Sequence, residues 1–236
     1  RGWREDKGDA PLKETLAAAM IAASGWDGTT PLYDPCCGSG TIAIEAAQIA
    51  CNIAPGSLRR FGFEKLLPFQ PHVWSAIQDQ AAEAEHEPQT QIFGSDVAFR
   101  MVDFATRNAE RAGVTGVVEF RGGDALQRMP PAPSGVMLLN PPYGERIEVA
   151  GVAGRREAAQ TDDGGSDFFP QLATHWKRNY AGWTGWILTP DLKLPGKMRL
   201  KESRRVPMWN GPIECRLFRF DMVAGSARRG ADTDAK

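Results

Sequence analysis

The sequence predicts an α/β protein whose mostly parallel, doubly wound sheet is closed by an antiparallel hairpin. Short apolar segments alternate along the chain with helical segments, and this β-α-β-α order is typical of a parallel sheet covered on both faces. Near the carboxyl end, Asn210-Gly211 separates two strand-like segments, and Asn-Gly is a strong signal for a two-residue hairpin turn. Because ligands of such sheets bind at the carboxyl ends of the strands, the residues that follow each strand form the candidate site.

Apolar periodicity and turn signals predict the elements in order. Pro11 begins the first helix and Gly25 follows it, while Gly113 ends the fourth helix. The second helix has apolar residues that we expect to pack inward, namely Ile42, Ile44, Ala46, Ala47 and Ile49. The predicted helices cover 11–24, 41–51, 73–87, 98–112 and 167–180. The predicted strands cover 32–34, 90–93, 117–120, 136–139 and 183–188, followed by the hairpin strands 204–208 and 213–222.

Glycine- and proline-rich segments lie between these elements. Gly38-Ser39-Gly40 and Gly94-Ser95-Asp96 are predicted turns after the first two strands. The segment 52–87 is a predicted insertion that begins irregularly. We expect a mobile loop over 148–166, which contains four glycines without a clear period, and a disordered polar tail over 226–236.

The composition is that of a packed globular chain. The chain has 236 residues, of which 42% are hydrophobic and 24% charged, and its formal net charge is −1. No apolar run approaches the roughly 20 residues that a membrane-spanning helix needs. The first residue is Arg1 rather than Met, and no signal-peptide pattern follows it. We therefore expect a cytoplasmic protein that does not bind membranes, and a sequence cut from a longer chain.

The cysteines and histidines do not predict a metal site. Cys36, Cys37, Cys51 and Cys215 have no CxxC spacing, and the chain has only three histidines. A structural zinc site or a disulfide framework has a denser and more regular pattern. We expect reduced, mostly buried thiols and no bound metal.

A glycine-rich turn joins the first strand to the second helix, with the sequence Asp34-Pro35-Cys36-Cys37-Gly38-Ser39-Gly40-Thr41. Glycines let the backbone approach a ligand closely, and the helix amino terminus supplies free N–H groups. The spacing Gly38-x-Gly40-x-x-Ala43 also fits the dinucleotide fingerprint, which expects an acidic residue about 20 positions later. Asp96 lies 62 residues after Asp34, a gap that the predicted insertion would explain.

Acidic residues end three successive strands: Asp34, Asp96 and, after Gly122-Gly123, Asp124. A carboxylate beside the glycine turn suits an ammonium group, and one after the second strand suits the two hydroxyls of a ribose. A carboxylate after the third strand can accept a hydrogen bond from an adenine amino group. Together they match an adenosine that carries an amino acid, so the pattern favours S-adenosylmethionine over a nicotinamide cofactor.

The fourth strand ends in Asn140-Pro141-Pro142-Tyr143. An exocyclic amine of a base is a poor nucleophile, because its lone pair is delocalised into the ring. The side-chain oxygen of Asn140 and the carbonyl of Pro141, which Pro142 holds extended, can accept both amine hydrogens and direct the lone pair outward. Tyr143 offers a face on which a flipped base can stack. The same motif would serve a guanine or adenine amine, or the side-chain amide of a protein glutamine.

A basic segment favours nucleic acid among these substrates. Residues 193–219 contain eight Lys and Arg against two Glu, a local charge of +6. Clustered basic residues are typical of phosphate binding. A nicotinamide oxidoreductase and a non-catalytic RNA-binding module remain as alternatives from other classes.

Several longer motifs extend this pattern over most of the chain: RGWRED, APLKETLAAAM, DPCCGSGTIAIEAA, NIAPGSLRRFGFE, GSD, NPPYGER and NGPIECRLFRF. With them the sequence resembles the THUMP-associated class I S-adenosylmethionine-dependent methyltransferases, which have a Rossmann-like fold. It resembles most the RlmL-type enzymes, which methylate guanine N2 in large-subunit (23S) ribosomal RNA. Transfer-RNA guanine-N2 and adenine-N6 methyltransferases are the alternatives within this class.

The resemblance implies roles for individual residues. Asn140, Pro141, Pro142 and Tyr143 would hold the target amine. The implied cofactor-binding residues are Thr15, Asp34, Pro35, Cys36, Cys37, Gly38, Ser39, Gly40, Thr41, Asp96, Val97, Asp124, Ala125 and Asn140. It further implies a catalytic domain over 1–225 that binds RNA and lacks the amino-terminal THUMP region usual in the group.

Overall fold

A computed structural model of the protein describes residues 2–8, 11–142 and 168–224. The helices in these ranges are α1 (Glu14–Ser24), α2 (Thr41–Ala50), α3 (Pro71–Glu83), α4 (Phe99–Arg111), α5 (Phe168–Asn179) and α6 (Leu194–Met198). The strands are β1 (Leu32–Asp34), β2 (Ile92–Asp96), β3 (Val118–Gly122), β4 (Gly135–Leu139), β5 (Trp183–Thr189), β6 (Arg204–Asn210) and β7 (Ile213–Asp221). The predicted loop 148–166 and tail 226–236 lie outside the described residues.

The strands form one sheet in the order β3-β2-β1-β4-β5-β7-β6. β1 pairs in parallel with β2 and β4, whereas β7 pairs antiparallel with both β5 and β6. The chain runs outward from β1 to β3 and then returns to β4 on the other side of β1. The strand order therefore reverses between β1 and β4, where ligands of doubly wound sheets bind. The predicted fold class is confirmed.

Helices cover both faces of the sheet. On one face, Leu32 of β1 and Leu138 of β4 belong to an apolar cluster that includes residues of α1, α2 and α4. On the other face, Tyr33 and Met137 belong to a second cluster with α5 and α6. Successive residues of a strand point to opposite faces, so β1 and β4 each contribute side chains to both clusters.

β2 is longer than the turn signals predict. The predicted turn Gly94-Ser95-Asp96 is the last part of the strand, and Gly94 pairs with both Asp34 and Phe120. A Cβ atom at Gly94 would lie 2.6 Å from the ring of Phe120. Gly94 is therefore needed because the Phe120 ring packs against its backbone. It does not form a turn.

Ile49 is predicted to pack inward, but its side chain is 43% exposed. Every other residue of α2 is buried, including Glu45 and Gln48. The apolar pattern of α2 could not single out Ile49, because the helix is enclosed on almost all sides and this position alone faces solvent.

The hairpin is confirmed, but its turn is displaced by one residue. Asn210 pairs with Ile213 as the last residue of β6, so the two loop residues are Gly211 and Pro212. Gly211 has a φ of +63°, which glycine adopts without strain. Proline has no N–H to donate to the ladder, which is consistent with its position in the loop. The short helix α6 was not predicted.

The predicted insertion 52–87 contains a 3₁₀ turn, Gly62–Lys65, and the helix α3. No residue of α3 is buried. Its Trp74 instead packs edge-on against Phe63, with 4.9 Å between ring centroids, and Phe63 stacks on Phe61 at 5.4 Å. The insertion thus has a small aromatic cluster of its own. In the described part of the chain, no helix combines the length and apolarity needed to cross a bilayer.

Candidate active site

The residues predicted to form the site meet at one edge of the sheet. Asp34 ends β1, Asp96 ends β2 and Asn140 follows β4 directly. Hydrogen bonds connect three of the strand-end segments: the Gly38 N–H donates to Asp96 Oδ2 at 3.0 Å, and the Gly123 N–H donates to the Asp96 carbonyl at 3.0 Å. The glycine turn and the ends of β2 and β3 are therefore one continuous surface.

Two glycines of the turn have different tasks. Gly40 has a φ of +85°, and a Cβ atom there would lie 2.8 Å from the Phe120 ring and 2.9 Å from Ala105. Gly38 has a φ of +52°, but a Cβ atom there would have no neighbour within 4 Å. Gly40 therefore allows the turn to pack, whereas Gly38 presents bare backbone to open space. No side chain caps the amino terminus of α2, which begins at Thr41.

The carboxylates of Asp34 and Asp96, beside the turn, are shielded from solvent. Asp34 is 1% exposed, and burial raises its pKa to about 8, with the negative charge of Asp96 adding to the effect. Its Oδ1 accepts a hydrogen bond from the Cys36 N–H at 3.0 Å. Burial also raises the pKa of Asp96, although N–H groups of Ala98 and Gly38 donate to it. Such a pair favours a cationic ligand, because a positive charge would stabilise both ionised forms.

The two cysteines of the turn are neutral thiols. Burial, followed by the charges of Asp34 and Asp96, raises the pKa of Cys36 and of Cys37 well above the ordinary value. A thiol acts as a nucleophile or metal ligand only as thiolate. Their contribution is steric: Cys37 is buried, and its N–H donates to the Ser95 carbonyl at 2.9 Å. Among the described residues, no group of His, Cys, Asp or Glu could hold a metal ion.

Asn140 carries an unused acceptor. Its Oδ1 atom is buried and has no hydrogen-bond partner within the described ranges. A buried acceptor without a donor costs about 1–3 kcal/mol. Pro141 is buried behind it and Pro142 is exposed. The arrangement is that of a site prepared for a donor that a ligand brings, such as a planar amine. Tyr143 lies outside the described residues.

The family of the chain follows from its comparison with known proteins. The model of a family described as UPF0020, RMKL-like methyltransferase domain, matches residues 1–219. The chain belongs to this family.

Similar proteins agree with this assignment. The ribosomal RNA large subunit methyltransferase K/L of Shewanella baltica strain OS195 is 41% identical over 235 residues, which cover 97% of this chain and 32% of that protein. The chain thus spans about a third of the length of the curated relatives it matches. Among solved structures, SMU.472, assigned as a methyltransferase and crystallised with SAH, has a TM-score of 0.82 and 31% identity over 95% of this chain and 55% of that one. A protein of Clostridium difficile 630, assigned as a methylase, has a TM-score of 0.82 and 32% identity over 95% and 56% of the two chains.

In this methyltransferase domain, the remaining predicted site residues lie at or near the ends of β1, β2 and β3 and in the first turn of α1. Asp124 uses Oδ1 to accept the Leu126 N–H at 2.9 Å, and Ala125 is buried. Val97 follows Asp96 and is 43% exposed. Thr15 lies exposed in the first turn of α1, and Pro35 is buried behind the turn.

Phe99 is not among the residues that the sequence predicts for the site. Its side chain is 79% exposed, and its ring lies so close to Gly122 that a Cβ atom there would be 2.7 Å from Phe99 Cε1. The ring therefore borders the ends of β2 and β3, beside Val97. In the sequence it is only one apolar residue at the start of an amphipathic helix, so no local signal distinguishes it.

Sequence analysis also missed Asn108, which is fully buried on α4. Its Nδ2 donates to the Ser39 carbonyl at 3.0 Å and to the Asp6 carbonyl at 2.8 Å. Its Oδ1 accepts N–H groups of Glu5 and Asp6, both at 3.3 Å. This one amide ties the amino-terminal segment of the methyltransferase domain to the glycine turn. In the sequence Asn108 is only a polar residue within a predicted helix, so nothing local indicates these hydrogen bonds.

Proposed function

We propose that the protein methylates the exocyclic N2 amine of a guanosine in large-subunit (23S) ribosomal RNA, with S-adenosylmethionine as the methyl donor. The observation that carries the proposal is the buried, unpaired Oδ1 of Asn140 at the switch in strand order. It stands at the same edge of the sheet as the glycine turn, the buried carboxylate of Asp34 and the partly buried carboxylate of Asp96, which are the groups that an adenosine bearing an amino acid requires.

The strand-end residues fit the cofactor. The buried carboxyl of Asp34 has a raised pKa, so a nearby positive charge would stabilise its ionised form, and it suits the ammonium group. Gly38 leaves room for the methionine end of the cofactor. Asp96 is assigned to the ribose hydroxyls, and Asp124 with Ala125 to the adenine. Phe99 and Val97 add exposed apolar surface beside the adenine position, where a planar ring can pack. When bound, S-adenosylmethionine supplies an electrophilic methyl group on a sulfonium.

The chain's own residues activate the amine by holding it. In the proposed complex, Asn140 Oδ1 and the Pro141 carbonyl each accept one amine hydrogen, which turns the nitrogen lone pair toward the methyl group. Positioning of this kind supplies most of the rate enhancement when the leaving group is already good. The neutral thiols of Cys36 and Cys37 supply no base, and the proton of the methylated amine is lost to solvent. Tyr143 is proposed as the stacking face for the base.

Two observations support ribosomal RNA as the substrate. The curated relatives at about 40% identity carry the name ribosomal RNA large subunit methyltransferase K/L. The segment 193–219 has a local charge of +6. Because the chain spans about a third of those relatives, we propose that it acts as the catalytic domain of a longer cytoplasmic protein with a THUMP region.

The test is transfer of tritiated methyl groups from S-adenosylmethionine to unmodified 23S ribosomal RNA and to transfer RNA, followed by analysis of the nucleosides. We expect N2-methylguanosine in the ribosomal RNA. Label in transfer RNA alone, or in N6-methyladenosine, would overturn the assigned substrate.

Asn140→Ala tests the mechanism. We expect the rate to fall by about 100-fold or more, as for other pre-positioned transition-state contacts, with cofactor affinity within about twofold of wild type. Asn179→Ala is the matched control, because Asn179 is also a partly buried asparagine but caps α5 through the His175 carbonyl at 3.1 Å. A wild-type rate for Asn140→Ala would show that the assigned role is wrong.

A further inference from the structure

Trp209 is unusually exposed for its residue type. All seven tryptophans lie in the described part of the chain, and Trp209 alone is exposed, at 59%. It is on β6, one of the two edge strands of the sheet. Burying a tryptophan is strongly favourable, so an exposed indole at a sheet edge is a candidate contact for a partner.

The strand register places Trp209 at the same edge as Asn140. Leu139 of β4 is level with Ile187 of β5, Phe218 of β7 and Arg205 of β6. β6 runs in the direction of β4, so Trp209 lies beyond that level on the side of the strand ends. Ideal strand spacing and rise put it roughly 17 Å from Asn140. At that separation Trp209 cannot contact a target base held by Asn140. It can contact a nucleotide that neighbours the target.

Cations share the face on which Trp209 lies. Alternation along β6 puts Arg205 on that face, and its guanidinium lies 5.8 Å from the centre of the Phe218 ring. Arg216 pairs with Pro207, so it is the diagonal neighbour of Trp209 on the same face. Phe218 belongs to the apolar cluster of α6, which carries Lys193, Lys197 and Arg199 at or next to its ends. The indole therefore stands at the end of a basic face.

The edge itself is unsuited to pairing with another protein strand. Pro207 is exposed in the middle of β6 and has no N–H for a neighbouring strand. Arg204 and Arg205 add charge to the same edge, which also opposes strand addition. An aromatic ring beside cations is instead the combination that binds single-stranded nucleic acid, by base stacking and phosphate contact.

We propose that Trp209 stacks on an unpaired base near the target guanosine, while Arg205 and Arg216 contact the flanking phosphates. Glu202 and Glu214 pair with these arginines in the free protein, so the phosphates would compete for cations that are already oriented. The proposal rests on RNA being the substrate, as proposed above. It adds a positioning surface outside the cofactor site.

The test compares Trp209→Ala, Trp209→Phe and Leu67→Ala. Leu67 is a matched control, because it is 97% exposed on the insertion. The measurements are the dissociation constant for a labelled single-stranded fragment of 23S ribosomal RNA, the dissociation constant for S-adenosylmethionine, and steady-state methylation. We expect Trp209→Ala to weaken RNA binding by about 5- to 150-fold. KM for RNA should rise while cofactor affinity and melting temperature stay unchanged. Trp209→Phe should retain most of the affinity.

Arg205→Gln and Arg216→Gln extend the test to the phosphates. Each should reduce the slope of log K against log salt concentration by about 0.7, the value for one contact to a single strand. If Trp209→Ala binds and methylates RNA like Leu67→Ala, or if Trp209→Phe is as weak as Trp209→Ala, the stacking role is overturned. A wild-type protein that methylates no RNA would instead overturn the proposed function on which it rests.

Discussion

Asp34 shows at the scale of one residue how a candidate binding site costs stability. Its carboxyl is 1% exposed, and burial raises its pKa from 3.8 to about 8. The folded protein therefore binds this proton more tightly than the unfolded chain does. The contribution of Asp34 to stability is fully present below pH 4 and is lost as the pH rises towards 8. A bound ammonium group would reverse this effect.

Asp34→Asn should separate stability from binding. The amide keeps an oxygen for the Cys36 N–H and carries no charge, so we expect a higher melting temperature than wild type at pH 8 and a flatter dependence between pH 4 and 8. Affinity for S-adenosylmethionine should fall by about tenfold or more, the cost of one charge-assisted contact. Thermal melts and calorimetry measure both. Asp79→Asn, on exposed α3, should change neither. A variant less stable than wild type at pH 8 would contradict the prediction.

At the scale of elements, α2 and α3 are opposite kinds of helix. Nine of the ten residues of α2 are buried, and it is apolar on nearly every side. No residue of α3 is buried, although it is longer. The contacts that hold α3 are mainly those of Trp74 with Phe61 and Phe63. Helices draw most of their stability from tertiary packing, so α3 should open far more readily.

Hydrogen exchange should show this difference directly. We expect the amides of α3 to exchange well before those of α2, through a local opening that leaves the sheet intact. Trp74→Ala should speed exchange in α3 further, because it removes the centre of the aromatic cluster, and leave cofactor affinity unchanged. Ile77→Ala, an exposed position of the same helix, is the control. Equal protection of α2 and α3 would refute the interpretation.

At the scale of the whole molecule, the amino-terminal segment ties distant parts of the chain together. Trp3 is fully buried in the cluster of α1 and α2, and its carbonyl accepts from Arg111 at 3.0 Å. Arg111 also pairs with Asp6 at 2.5 Å. Asn108 then joins the Asp6 backbone to Ser39 of the glycine turn. Residues 2–8 are thus part of the support of the candidate site.

Asn108→Ala should weaken this connection. It leaves the carbonyls of Ser39 and Asp6 without their donor, and we expect a loss of about 1–3 kcal/mol in the free energy of unfolding. Cofactor affinity should fall as well, because Ser39 stands between Gly38 and Gly40. Denaturant titration and calorimetry test the two effects, with Gln80→Ala on exposed α3 as the control. If Asn108→Ala lowers stability but binds the cofactor with wild-type affinity, the amino-terminal segment does not support the candidate site.

The sequence by itself determined the edge at which the site forms. Asp34, Asp96, Asp124 and Asn140 each follow an apolar segment, and parallel strands bring their carboxyl ends together. Turn chemistry is local, so the glycine turn and the hairpin could also be read from short stretches. The same local reading failed at Gly94-Ser95-Asp96, because pairing of Gly94 with the distant Asp34 and Phe120 extends β2. It also failed at Asn210, because Asn210 still pairs with Ile213 and the turn begins one residue later.

Only the tertiary structure decided which further side chains support or border the candidate site. Asn108 reaches Ser39 and Asp6 across about 70 and 100 positions of sequence. Phe99 borders the end of β3 because β2 and β3 pair, and Trp209 reaches the site edge because β7 inserts between β5 and β6. None of these contacts leaves a periodic or local trace in the sequence. These contacts join segments that are far apart in the sequence, so they form only when the whole chain has folded.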